Sequence, residues 1–329
     1  MNNSSTMIAQ SGLSSAPKIG KKSTFEGFAD LFHQRLDALL LIQQLIQMIK
    51  AVQRHRGMSM GLLGGNNHFL DDFPQLQHQL TLRLQLFMAF ASKTQGLLSA
   101  RDQDNLRSAW LTISHDWQED SVIDNYELHC HLIEHLLTLV ATLAKQLEQP
   151  MNALIANEGE PTLIGATGTI FPNRFKQLEV LHFSTRLMPS VAEQIGRIRA
   201  LATYAAALGQ CSTDHASKLR YVIQCTKVNN EKLRNQAKRM ETILDKNSPL
   251  LNSLKSYEIK LTFLLNMVEQ DILTESGETA ADSNRLFEIA TNIIDMYLGI
   301  VDEGIALLER WHQDEIENWL SPAANTRAR

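Results

Sequence analysis

The sequence predicts an all-α protein made of two up-down four-helix bundles, about eight long helices in total. Three observations carry that expectation. Apolar residues recur three and four positions apart over most of the chain, which is helical spacing. Strand-type alternation is nearly absent. Glycine, proline and helix-capping residues interrupt the pattern so that mostly short connections remain. Short connections between long amphipathic helices imply antiparallel neighbours.

Residues 1–24 are Ser- and Asn-containing, lack an apolar run, and read as a disordered tail. Residues 25–150 read as the first bundle half. Its first helix, about 29–63, stops at Gly64, Gly65, Asn66 and Asn67. A second helix covers about 75–93. A third begins near Ala100 with Ser99 as its N-cap and ends before Asp116. A fourth, about 122–149, is stopped by Pro150. Residues 151–172 hold the glycines and prolines of an irregular connection. Residues 173–320 read as the second half. A helix over about 174–208 is followed by Gly209, and Ser212 caps the next, about 214–245. Asn247, Ser248 and Pro249 mark a restart, and Ser276, Gly277 and Glu278 a further stop. The last helix covers about 279–320, and 321–329 is a frayed tail.

Hydrophobic residues make up 44% of the chain, enough for a sizeable core, and charged residues 20%. The net charge of −5 argues against a general nucleic-acid binder, which needs a basic footprint to release counterions. The basic run 227–239 therefore reads as a solvated helix face. The cysteines are odd in number, 3, and scattered, which fits a reducing compartment. No leader-like apolar run opens the chain. The most apolar stretch, 36–52, contains Asp37, Gln43, Gln44, Gln47 and Lys50 and falls short of a membrane span. The expectation is a cytoplasmic protein with no membrane contact.

Two segments echo one another. The first half carries Arg54-His55-Arg56 followed by Gly57, Met58, Ser59, Met60 and Gly61; the second carries Arg197-Ile198-Arg199 followed by Ala200, Leu201 and Ala202. Arg56 continues the apolar stripe Ile42, Leu45, Ile49, Val52, and Arg199 continues Met188, Ala192, Ile195. Arg54 and Arg197 fall on other rows, Arg54 with Gln43, Gln47 and Lys50, Arg197 with Ser190, Glu193 and Gln194. A guanidinium on a core-facing stripe needs a partner. The side chain either snorkels out to water, pairs with a core acid such as Asp30 or Glu193, or holds a bound anion whose oxygens match the guanidinium fork. The small residues beside the arginines would leave room for an ion between the helices.

The segment Ala51-Val-Gln-Arg-His-Arg-Gly-Met-Ser59 resembles the motif of the NIT, or nitrate- and nitrite-sensing, domain family, typically Leu-Gln-x-Glu-Arg-Gly-x-Ser. Arg56, Gly57 and Ser59 match it; His55 stands where that family usually has Glu. Ile195-Gly-Arg-Ile-Arg-Ala-Leu-Ala202 is similar to the family's second arginine element, with Ala200 in place of a frequent glycine. The resemblance spans about 28–318. It implies two four-helix bundles and a nitrate or nitrite pocket lined by Arg56 and Arg199, with Gly57 and Ser59 beside them. In that family the sensor usually precedes an RNA-binding antiterminator, kinase, cyclase or chemotaxis module. No such module fits between the last helix and Arg329, so the resemblance implies signalling through a separate output protein, with a homodimer as a further option.

Two other readings stay open. One is a helical interaction scaffold with no small ligand. The other is a metal-dependent enzyme using His131 and His135, which share a helix face at i and i+4 within the group His129, Cys130, His131 and His135. Gly165 to Gly168 lacks the spacing and lysine of a phosphate loop. With no dinucleotide fingerprint, catalytic triad pattern or paired-carboxylate signature in view, no cofactor and no enzymatic activity are expected.

Overall fold

The computed structural model describes residues 24–94, 96–149, 174–244, 250 and 257–320. The expectations for the two tails, for the connection 151–172 and for the restart at Asn247 to Pro249 lie outside these residues. The described chain is all-α: α1 (Thr24–Leu63), a 3-10 turn (Asn67–Phe69), α2 (Asp72–Ala91), α3 (Ala100–Ser114), α4 (Val122–Leu147), α5 (Arg174–His182), a π turn (Phe183–Leu187), α6 (Met188–Leu208), α7 (Thr213–Ile243), α8 (Tyr257–Asp271) and α9 (Ser283–Leu320). α5, the π turn and α6 run on without a break, so the rods number eight. The one β feature among the described residues is an isolated bridge between Gln210 and Glu278.

Local chemistry sets the helix ends. The side chains of Ser99, Ser121 and Ser212 each accept a backbone N–H at the start of α3, α4 and α7, satisfying donors that have no partner inside the helix. Gly209 ends α6 with φ 76, a left-handed conformation that favours glycine.

In the first half α1 packs on α2 and α4, and α3 closes the ring between those two; in the second half α6 packs on α7 and α9 and α8 packs on α9, with the pairs Lys227–Glu269 and Arg234–Glu258 joining α7 to α8. The halves share one hydrophobic core. They meet along α1 and α6, and α1 also touches α9. This explains α1, which is buried on most of its surface from Ala38 to Met60: a helix covered by α2, α4, α6 and α9 has little face left for water. A smaller cluster of Met58, Phe69, Phe73, Trp117 and Phe287 closes one end of the α1–α6 contact. No helix among the described residues is long and apolar enough to cross a membrane.

At that end α1 and α6 approach too closely for a side chain. A Cβ on Gly64 would lie 2.9 Å from the Tyr204 carbonyl oxygen and 2.9 Å from Ala207 Cβ. Neither neighbour can rotate away. Gly64→Ala is therefore expected to force the helices apart and lower stability by about 1–3 kcal/mol in urea unfolding. An unchanged midpoint would show that this contact is looser than the geometry requires.

Candidate anion-binding site

Arg56 and Arg199 both reach the interior, as their stripes predict. Each is at most 1% exposed, and together they are the largest fully buried side chains of the described chain. Arg54 is exposed and Arg197 half-buried. The crossing of α1 and α6 is reciprocal. A Cβ on Gly196 of α6 would lie 2.9 Å from Arg56 Nη2, and a Cβ on Gly57 of α1 would lie 3.0 Å from Arg199 Nε. Each arginine thus lies over a glycine of the opposite helix. The expected room beside the small residues is filled: Phe287 and Arg199 occupy it at Gly57, Phe69 and Thr203 at Gly61.

The two arginines have unlike surroundings. Arg56 makes a two-pronged ion pair with Glu193, Nη1 to Oε1 at 2.7 Å and Nη2 to Oε2 at 3.1 Å, and Nη1 also donates to Cys130 Sγ at 3.2 Å. Glu193 further accepts from Gln53 Nε2 at 2.9 Å and Arg197 Nε at 2.9 Å, while Arg197 reaches Glu134 at 2.6 Å. Burial alone would raise the Glu193 carboxyl; the Arg56 and Arg197 guanidiniums overcome it and hold the group below its ordinary value. Burial likewise opposes the charge of Arg56, and Glu193 reverses that effect, so its pKa rises.

Arg199 has no such counter-ion. Nη1 donates to Thr291 Oγ1 at 2.8 Å, and the guanidinium carbon sits 4.8 Å from the centre of the Phe287 ring. Nε and Nη2 find no partner among the described residues. Asp295 attracts Arg199 at longer range, but its carboxylate pairs with Lys50 at 3.0 Å near the surface. Burial, then the charge of Arg56, push the Arg199 pKa down to about 9, so it remains a cation at neutral pH. Nearby polar atoms are also unsatisfied: Arg56 Nε, Thr203 Oγ1 one turn beyond Arg199, and Asn125 Nδ2. Such groups are normally hydrogen-bonded when buried. Gln53 Oε1 is an unpaired acceptor in the same region, but the unpaired donors outnumber it, and the cluster is short of one negative charge.

Ser59 lies 2.8 Å from Asn125 Oδ1 and 3.0 Å from the Arg56 carbonyl, so it ties α1 to α4. His55 packs between Phe73 and Trp110, and its Nδ1 is 2.8 Å from His129 Nε2. His129 Nδ1 is 2.6 Å from the Asn125 carbonyl, which can only accept. The proton is therefore on His129 Nδ1, Nε2 accepts, and His55 Nδ1 donates. Both rings are neutral. Burial lowers the pKa of each, that of His129 to about 3.

His131 and His135 do not join this cluster. They line a shallow surface groove with Asn105, Ala109, Thr112, Leu128 and Leu132, and His135 lies 3.7 Å from Asp102. Among the described residues no three His, Cys, Asp or Glu side chains converge as a metal site. Lys227, Arg234 and Arg239 of the basic run are paired with Glu269, Glu258 and Glu179.

Two predictions follow from the charge arrangement. Arg199→Met removes an uncompensated buried charge and is expected to leave stability unchanged or raise it by about 1–3 kcal/mol, whereas Arg56→Met breaks a buried pair and is expected to cost about 3 kcal/mol. Urea unfolding of both variants checks this, and equal losses would refute the assignment of Arg199 as unpaired. The histidines set a pH dependence. Their native pKa values lie below the ordinary 6.5, so the unfolded chain binds more protons. The stabilising contribution of the neutral pair is complete above pH 6.5 and is lost as the pH falls from there towards 3. Each histidine contributes a slope of up to about 1.4 kcal/mol per pH unit in that window. Urea midpoints at pH 7.5, 6 and 5 should show the decline, and His55→Gln/His129→Gln should flatten it.

No protein-family model, curated protein or solved structure matches this chain.

Proposed function

We propose that this protein is a sensor of a small singly charged oxyanion, nitrate or nitrite, and that it relays occupancy of the α1–α6 crossing to a separate output protein. The observation that carries the reading is Arg199: a buried guanidinium with no carboxylate bonded to it and two nitrogens without partners among the described residues. Removing an ion from water costs several kcal/mol, and an arriving anion would recover much of that through two charge-assisted hydrogen bonds. A planar oxyanion suits the planar fork. One negative charge is also what the cluster lacks, since Glu193 already balances Arg56. The likeness of Arg56, Gly57 and Ser59 to the NIT-domain motif points to the same ligand class, with Ser59 acting through its bond to Asn125.

A relay requires two states that the ligand binds unequally. The site joins α1, α6 and, through Thr291 and Phe287, α9, so occupancy bears on the packing of the two halves. In this reading the protein acts in the reducing cell interior, consistent with its unbridged cysteines. The scaffold reading draws support from the Arg56–Glu193 pair, a complete structural contact by itself; it leaves Arg199 without an explanation.

The test is thermal unfolding of the full chain in sodium nitrate, nitrite and chloride at equal ionic strength. A specific ligand at a hundred times its Kd stabilises by about 2.7 kcal/mol. Nitrate or nitrite should raise the Tm beyond chloride, and Arg199→Met should abolish the difference. Equal effects of all three salts, or a shift that survives Arg199→Met, would sink the proposal.

A further inference from the structure

Glu193 occupies the position that an anion would take on Arg56. Its two oxygens fill both Nη atoms of that guanidinium, the bidentate geometry with which arginine binds any planar oxyanion. We infer that Glu193 is an internal competitor for the ligand: it holds Arg56 in the empty protein and releases it when an anion settles on Arg199. This rests on the oxyanion reading above and adds how the site is regulated.

Three features support the exchange. Glu193 does not depend on Arg56 alone, because Gln53 and Arg197 also donate to it; were Arg56 to turn away, the carboxylate would keep a charged partner and a neutral donor. Arg56 has Glu193 as its one carboxylate, with the weak acceptor Cys130 Sγ and the Tyr126 ring, 5.7 Å from its guanidinium carbon, beside it, and its Nε finds no partner among the described residues. Arg56 and Arg199 repel one another, and an anion bound between them would turn that repulsion into a shared attraction. The competitor and the open arginine stand on one helix, α6, and the contested arginine on α1. Ligand entry therefore replaces one α1–α6 link by another and does not merely add a contact.

Competition has a measurable consequence. If the binding-competent arrangement is only a small fraction of the ligand-free protein, the apparent Kd is the intrinsic Kd divided by that fraction. Removing the competitor's charge should recover the affinity. Glu193→Gln is expected to bind nitrate or nitrite at least about tenfold tighter than the wild type in calorimetric titrations of the full chain. Glu193→Asp, which keeps the charge but shortens the side chain, should show a smaller gain and decides the matter where the Gln variant does not fold. General electrostatics would also favour anions in Glu193→Gln, so the decisive comparison repeats the substitution in an Arg56→Met background. Competition for Arg56 requires the gain to vanish there. An equal gain in both backgrounds, or folded Glu193 variants that bind no tighter than wild type, would overturn the inference while leaving the sensor reading intact. Silence of the wild type with binding by Glu193→Gln would support it in its strongest form. Silence of both would remove the inference and the sensor reading together.

Discussion

The structure depends on a charge imbalance at one helix crossing. Arg56, Glu193 and Arg199 are withdrawn from water where α1 passes α6, and the half-buried Arg197 borders them. Buried ions cost several kcal/mol each unless their partners are well placed. Most of the neighbouring sequence reads as a response to that cost. Gly57 and Gly196 are small because a guanidinium lies over each. Gln53 and Arg197 complete the shell of Glu193. Phe287 gives Arg199 a ring face, a weaker compensation than a carboxylate.

The crossing also ties the two halves together. Beyond the arginines, Lys50 and Gln47 of α1 reach Asp295 and Asp302 of α9, and Asn66 donates to Ser283 and Asn284 at the start of α9. The part of α1 from Gln47 onward and the turn after it are thus bound to the second half by polar links, within a core continuous across both halves. The π turn at Phe183 to Leu187 sits where Ser184 presses on Gly304 of α9, and the serine hydroxyl leaves no room for a Cβ on that glycine. Such bulges mark places where helical regularity yields to tertiary packing.

Much of this was legible in the sequence, and the limit is physical. Ser99, Ser212 and Gly209 act within their own turn, so short-range chemistry identified them. The stripes containing Arg56 and Arg199 are also local, because helical periodicity decides which face a residue shares. Periodicity does not say which helix will cover that face. Glu193 falls on a polar row with Ser190 and Gln194, yet it is buried because α1 and α4 close over it; it stood in the sequence only as one of two core acids to consider. Cys130 and His129 of α4 meet α1 residues 74 positions away. Thr291 and Phe287 come from α9, and nothing local marks them as neighbours of Arg199. His131 and His135 show the converse: correct helical spacing on a face that stays at the surface.

The echo between the halves would suggest equal roles for the two arginines, and their inequality is the more informative result. A fold of this kind is stable by about 5–15 kcal/mol. Two unpaired buried guanidiniums would consume most of that margin, since each forfeits several kcal/mol of hydration. Two fully paired ones would leave no donor for a ligand, and the crossing would be packing only. In the proposed sensor, one paired and one open arginine is the arrangement that would keep the ligand-free protein folded and still offer an anion unsatisfied donors. The carboxylate that makes this possible must lie on the same helix as the open arginine, so that pairing Arg56 does not also neutralise Arg199. Glu193, six positions before Arg199 and bonded to Gln53 and Arg56 of α1, meets that condition.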